Sequence, residues 1–182
     1  MNPLNESLAG RIAVDRDGCL YDRRLRSLVG QLPPSTRISF EALAALRMAS
    51  HAMHLHMQRW ADSHGLSEGR LQVLFRLRHA PGHALAMAGL AEALNVSPRN
   101  ITGLVDHLEK DGLVERVPDP TDRRSVLARL TEPGARKIES IWREGIEREL
   151  PLVEGFTREE LVQLRHVCLR LFQRMCEIGR NQ

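Results

Sequence analysis

The sequence predicts a mainly α-helical fold carrying one small β-hairpin, and three observations carry that reading. Apolar residues recur at helical spacing through most of the chain, as at Ile101, Leu104, Val105 and Leu108. The helical stretches are bracketed by start and stop signals: Ser67, Ser97, Thr131 and Thr157 ahead of them, Gly65, Gly82 and Gly112 behind. Only Leu113 to Val117 and Ser125 to Leu130 alternate with strand period, and the turn-rich Pro118-Asp119-Pro120-Thr121-Asp122 separates them.

The elements follow in order. Residues 1 to 34 show no sustained periodicity beyond a short helix at Asp22 to Val29, and Pro33-Pro34 closes the segment. A long helix capped by Ser35 or Thr36 runs to about Ser63, apolar on more than one side. Ser67 caps a second helix with Leu71, Leu74 and Phe75 inward, ended by Pro81-Gly82. A short helix spans Ala88 to Leu94, and Asn95, a residue that tolerates the left-handed conformation, ends it. The next helix runs from Ser97 to Lys110, with Gly112 in the C-terminal glycine position. After the hairpin, Thr131 caps a helix from Glu132 to about Leu150 with Ile138, Ile141, Trp142 and Ile146 on its apolar side. Thr157-Arg158-Glu159-Glu160 is a capping box opening the last helix. Leu161, Leu164, Cys168, Leu171, Met175 and Ile178 then form a narrow a/d seam suited to helix-helix association.

Composition narrows the function classes. A chain of 182 residues, 42% hydrophobic and 27% charged, has the balance of a soluble globular domain. No apolar run reaches membrane-span length and the N-terminus lacks a signal peptide's apolar stretch, so a cytoplasmic location is expected. Cys19, Cys168 and Cys176 are too scattered for a disulfide framework or a zinc site. No phosphate loop, nucleophile elbow or metalloprotease motif is present, so the chain does not read as an enzyme and no cofactor or metal is expected. The formal charge of +3 permits a polyanionic partner.

The helix from Ser97 to Lys110 carries the functional reading. With Ile101, Leu104, Val105 and Leu108 inward, its other face presents Arg99, Asn100, Thr102, Gly103, Asp106 and His107. Arginine suits guanine, asparagine suits adenine, and threonine suits a phosphate or a thymine methyl. Ser97-Pro98 starts the helix firmly and leaves free N–H groups that favour an anion. Helix, tight turn, helix and hairpin is the order of a winged helix-turn-helix. Asp122-Arg123-Arg124 puts two arginines at the tip of the hairpin, where a ribbon reaches phosphates or a narrow minor groove. From Ser97 to Arg129 the charges balance, so any positive surface has to come from their placement.

The stretch Leu66 to Lys137 resembles the MarR family of bacterial regulators. The resemblance rests on Leu90-Ala91-Glu92-Ala93-Leu94-Asn95-Val96-Ser97, on Thr102 to Arg116 with its Leu108-Glu109-Lys110-Asp111-Gly112-Leu113-Val114 centre, and on Asp119-Pro120-Thr121-Asp122-Arg123-Arg124 running into Leu130-Thr131-Glu132-Pro133-Gly134. Asn95 stands where glycine is common in the family. The resemblance implies a homodimer whose dimerisation region is 36–64 with 132–182, a winged helix-turn-helix over 65–131, and an N-terminal extension over 1–35. It further implies double-stranded DNA with a pseudo-palindromic operator as partner, and a repressor released by a small, often aromatic, effector. Carried over by position, Ser97, Arg99, Asn100 and Thr102 meet the major groove and its phosphates. Arg124 enters the minor groove with Asp122 orienting it, and Arg123 meets the backbone. His51, His54, Met57 and Trp60 line an effector pocket on the same family topology.

Cys19, beside Tyr21 and near Arg16, Arg23 and Arg24, suggests the alternative of a thiol-based redox-sensing repressor. Cys168 and Cys176 read as core positions of the last helix. A helical adaptor using the same seam is a further alternative, against which the wing arginines argue.

Overall fold

The computed structural model describes residues 10–122 and 125–180. Contacts divide the chain into two compact units, Met1–Leu71 and Gln72–Gln182.

The first unit begins with an antiparallel hairpin, β1 (Ile12–Val14) and β2 (Leu20–Asp22), in the register Ile12 to Asp22 and Val14 to Leu20. Asp15 builds the turn between them, its Oδ1 accepting from the backbone N–H groups of Asp17 at 3.0 Å and Cys19 at 2.9 Å. Asp22 then caps α1 (Arg23–Val29), accepting from the N–H groups of Arg24 and Leu25. Burial acts to raise the Asp22 carboxyl, but the hydrogen bonds from Leu25 and Arg11 outweigh it and hold the group below its ordinary value. The long helix α2 (Pro34–Ser63) starts on Pro33-Pro34 with no side-chain cap, so neither Ser35 nor Thr36 caps it; proline's fixed φ already suits the first turn. Arg26 of α1 binds Glu41 of α2 through both carboxylate oxygens, at 2.8 and 3.0 Å. At the far end Gly65 adopts φ +70°, and Leu66 N–H returns to Ala61 O at 3.0 Å, closing the helix. Trp60, Ala61, Leu66 and Leu71 are buried, whereas Leu43, Leu46 and Met53 are exposed.

The helix α3 (Glu68–His79) carries the chain into the second unit. There a three-stranded antiparallel sheet orders β3 (Ala84–Ala86), β5 (Val126–Leu130) and β4 (Val114–Pro118). The predicted hairpin is β4–β5, paired from Val114 with Leu130 to Pro118 with Val126. The edge strand β3 pairs Ala84 with Arg129 and Ala86 with Leu127 and was not expected from sequence. Between β3 and β4 lie α4 (Met87–Leu94) and α5 (Pro98–Lys110). Asn95 takes φ +51° between them, the left-handed geometry that lets the chain reverse in so few residues. Val73, Leu74, Leu77, Leu90, Ile101, Val105, Leu108, Val114, Ala128 and Ile138 are the buried core.

Helix α6 (Glu132–Glu149) follows β5 without a loop, capped as expected by Thr131, whose Oγ1 accepts from Gly134 N–H at 3.1 Å. Trp142 on α6 meets Phe75 and His79 edge-on, with ring centroids 5.8 and 5.1 Å away, and Arg78 lies over its face at 4.6 Å. The Arg78 guanidinium also binds Glu139 at 2.9 Å and holds that carboxyl below its usual range. After a 3-10 turn at Leu150–Val153, α7 (Arg158–Arg180) opens on the predicted capping box: Thr157 N–H donates to Glu160 Oε2 at 2.8 Å and Glu160 N–H to Thr157 Oγ1 at 3.1 Å. No described side chain on α7 is buried. Cys168 is half-buried and Cys176 exposed, which corrects their reading as core residues.

Candidate nucleic-acid interface

The first turn of α5 is an exposed polar edge of the helix-turn-helix. Ser97, Arg99, Asn100 and Thr102 are all exposed. Ser97 caps the helix by accepting from Asn100 N–H at 3.3 Å, and Pro98 fills the next position. Thr102 donates its hydroxyl to Pro98 O at 2.8 Å, so it turns a methyl and oxygen lone pairs outward. Arg99 has no hydrogen-bond or ion-pair partner among the described residues and keeps all its donors for an outside acceptor. Gly103 faces open space: a Cβ there would meet nothing within 4 Å.

The acidic residues of the region are held away from that edge. Arg116 on β4 reaches back to α5, with Nη2 2.6 Å from Asp106 Oδ1, Nη1 on Glu109 Oε2, and its backbone N–H donating to Glu109 Oε1 at 3.1 Å. Burial works against its charge, but the two carboxylates more than offset it and keep the guanidinium firmly protonated. Arg129 similarly pairs with Glu115 at 2.9 Å across β4 and β5. Asp106 lies seven residues beyond Arg99, roughly 10 Å along the helix axis. That is about one screening length at physiological salt. Along α5 the first turn thus carries Arg99 and no acidic residue, and the later carboxylates are braced by Arg116.

Replacing Arg116 with alanine should lower stability by about 1–2 kcal/mol and weaken DNA binding without changing base preference. Two carboxylates would then stand unpaired on α5, the helix expected from sequence to approach phosphates. Urea denaturation and gel shifts at two salt concentrations check this. Lysine should rescue poorly, since one ammonium lacks the fork that spans both acids.

At the wing, Asp119 organises the tip. Its Oδ1 accepts from Thr121 N–H at 2.8 Å and Thr121 Oγ1 at 2.7 Å, which hold the carboxyl below its ordinary value. Asp119 N–H donates to Ser125 O at 3.1 Å, and Ser125 N–H to Asp122 O at 2.9 Å. Exposed Asp122 is therefore fixed through its backbone at the mouth of the tip. Arg123 and Arg124 lie outside the described residues.

The comparisons with known proteins fit this geometry. A model described as MarR family matches residues 66–126. The HTH-type transcriptional repressor YetL of Bacillus subtilis is 31% identical over 137 residues, which cover 75% of this chain and 82% of that protein. The chain belongs to the MarR family. The transcriptional activatory protein BadR of Rhodopseudomonas palustris is 30% identical over 132 residues, covering 71% of this chain and 75% of that one. The solved structure of Sco3205 from Streptomyces coelicolor, a MarR family regulator in complex with DNA, superposes with a TM-score of 0.66 at 22% identity, covering 74% of this chain and 87% of that one. As a MarR family member the chain is a DNA-binding transcriptional regulator built on a winged helix-turn-helix, and not an enzyme.

Sequence reasoning passed over Arg116 and Asp119, which order the helix and the wing. The signal for Asp119 was legible, since an aspartate two residues before a threonine in a Pro-rich turn favours a side-chain-to-backbone turn. The other named residues are dispersed over the first unit. Trp60 is buried, with its ring edge-on to His64 at 5.8 Å, and Met57 is half-buried. His51 and His54 line an open groove with Leu46, Arg47 and Ser50, and His54 Nδ1 lies 3.0 Å from Glu68. Cys19 is exposed; its Sγ lies 4.0 Å from Asp17 O, with no basic group bound to it among the described residues. A redox sensor needs a neighbouring cation to favour thiolate, so this MarR family member is not favoured as a thiol switch. Among the described residues no helix is long and apolar enough to cross a membrane.

Proposed function

We propose that this chain acts in the cytoplasm as a homodimeric repressor that holds a pseudo-palindromic operator and releases it on binding a small aromatic effector. In this reading residues 65–131 contact DNA, while 36–64 and 132–182 join the two copies. Ser97, Arg99, Asn100 and Thr102 enter the major groove. Arg124 enters the minor groove beside Asp122, and Arg123 meets the backbone. The effector sits against His51, His54, Met57 and Trp60.

The observation that carries the reading is the first turn of α5. It is exposed and capped, carries no acidic residue, and holds an arginine uncommitted among the described residues. The DNA complex of Sco3205 supports it as a relative of the same fold. YetL is a repressor and BadR an activator, so the sign of regulation is tested with a reporter fused to the bound promoter.

A gel-shift titration against the DNA upstream of the chain's own gene, with excess competitor, tests the core claim. Arg99→Ala should cost about 1–3 kcal/mol of binding and relax preference at one base pair per half-site. Arg124→Ala should weaken binding across sequences and lower the salt slope by about one. Unchanged affinity in both variants would sink the contact assignment.

A further inference from the structure

The N-terminal unit holds a cleft of 490 Å³ that the DNA-binding reading does not use. It lies where the β1–β2 hairpin and α1 close over the first half of α2. Its size falls within the ordinary range of small-molecule sites. Ala42 and Ala45, one helical turn apart on α2, make the floor, because their short side chains leave room that longer ones would fill. Leu20, Leu25, Ile38 and Met48 make apolar walls.

The charges around the cleft are uneven. Asp15, Asp22 and Glu41 line it, with Arg26 as the one basic lining residue. Arg26 donates from Nε and Nη2 to the two carboxylate oxygens of Glu41, and its guanidinium lies 3.5 Å over the Tyr21 ring. Arg11 binds Asp22 at 2.5 Å from outside the lining. Arg37 acts on Glu41 as well, so Arg11, Arg26 and Arg37 offset the three carboxylates. The pairing is uneven: Asp15 is the least closely paired of the three, and its Oδ1 is used by the hairpin turn. Its Oδ2 has only Arg26 Nη2 at 3.8 Å, beyond hydrogen-bond reach. A cation beside Asp15 Oδ2 would complete this carboxylate.

We propose that this cleft binds a hydrophobic monocation, an apolar or aromatic skeleton bearing one positive charge, with Asp15 as its counter-ion. The apolar walls supply affinity and the lone carboxylate oxygen supplies charge selectivity. The site is built from the N-terminal unit alone and does not depend on the DNA-binding assignment.

The test uses the full chain without DNA and two probes of like shape and opposite charge, tetraphenylphosphonium and tetraphenylborate, followed by calorimetry. The expected result is saturable binding of one phosphonium per chain, with the borate at least about tenfold weaker. Asp15→Asn keeps the Oδ1 acceptor of the turn and should lower phosphonium affinity about 3- to 10-fold while narrowing the gap between the ions. Ala45→Trp, at an exposed helical position, should fill the cleft and abolish binding with the helical circular dichroism retained. Borate binding as tight as phosphonium, unchanged binding in Ala45→Trp, or no saturable site because a second copy covers the cleft would each overturn the proposal.

Discussion

Gly134→Ala is expected to destabilise the protein by about 3 kcal/mol, although a helical glycine replaced by alanine ordinarily gains about 0.5–1 kcal/mol. The sign turns on one close approach. A Cβ on Gly134 would overlap the Leu113 carbonyl, falling 2.8 Å from its carbon atom, and both atoms belong to backbone that is held in place. Leu113 O accepts Thr131 N–H at 3.1 Å, and Thr131 Oγ1 donates to Gly112 O at 2.7 Å while it caps α6. Relief of the overlap therefore requires breaking the junction of β4, β5 and α6. For a chain of this size the melting temperature should fall by roughly 6–12 °C, read by calorimetry. Gly103→Ala is the internal control with the opposite sign. It also sits in a helix, but its Cβ would enter open space, so stability should rise by about 0.5–1 kcal/mol. Its DNA affinity should nonetheless fall if the α5 backbone approaches the duplex closely there. A Gly134→Ala variant as stable as the parent would refute the close-approach account.

The same junction shows which parts of the protein were legible in sequence. Thr131 as a cap, the alternation of the wing strands, and the reciprocal Thr157–Glu160 cap are local patterns, written within three or four residues, and the structure has each of them. The edge strand Ala84–Ala86 escaped because three residues, two of them alanine and none β-branched or aromatic, carry no strand preference; β5 creates the strand by offering a free edge. The N-terminal hairpin escaped for a related reason. Its strands are three residues long, too short to show a period, and the Arg11–Asp22 pair that joins them spans eleven residues. At the proposed DNA-facing edge, the residue types of Arg99, Asn100 and Thr102 were readable because exposure follows from helical period. The bracing of α5 by Arg116 was not, because it spans ten residues and two elements and shows only when the strand lies beside the helix. The apolar surface of α7 is likewise wider than the a/d seam suggested. Val162, Leu169 and Phe172 are exposed beside it, and at 100° per residue the apolar arc spans roughly 220°.

That arc sets the second large expectation. Leu164→Glu should convert the proposed dimer to monomers at concentrations where the parent is fully dimeric. Helix α7 is 23 residues long, and Leu164, Val167, Leu169, Phe172 and Met175 are each more than half exposed in the single chain, from 51% for Leu164 to 66% for Phe172. A continuous apolar surface on a terminal helix marks a partner interface, since isolated helices are marginal in water and monomers rarely leave such patches open. Each leucine removed from an interface forfeits about 1.5–3 kcal/mol, and a buried carboxylate adds a further penalty. Two-fold symmetry doubles both, so the dimer dissociation constant should rise by at least about a hundredfold. Light scattering after size exclusion reads the mass directly. Gln163→Glu, which adds the same charge outside the apolar arc, should leave the dimer intact. Because a two-fold dimer binds both half-sites together, the Leu164→Glu monomer should also lose operator affinity while keeping its weaker half-site binding. A Leu164→Glu protein that remains dimeric would move the interface off α7. One that becomes monomeric yet binds the full operator as tightly as the parent would separate DNA recognition from dimerisation and overturn the two-fold model of the complex.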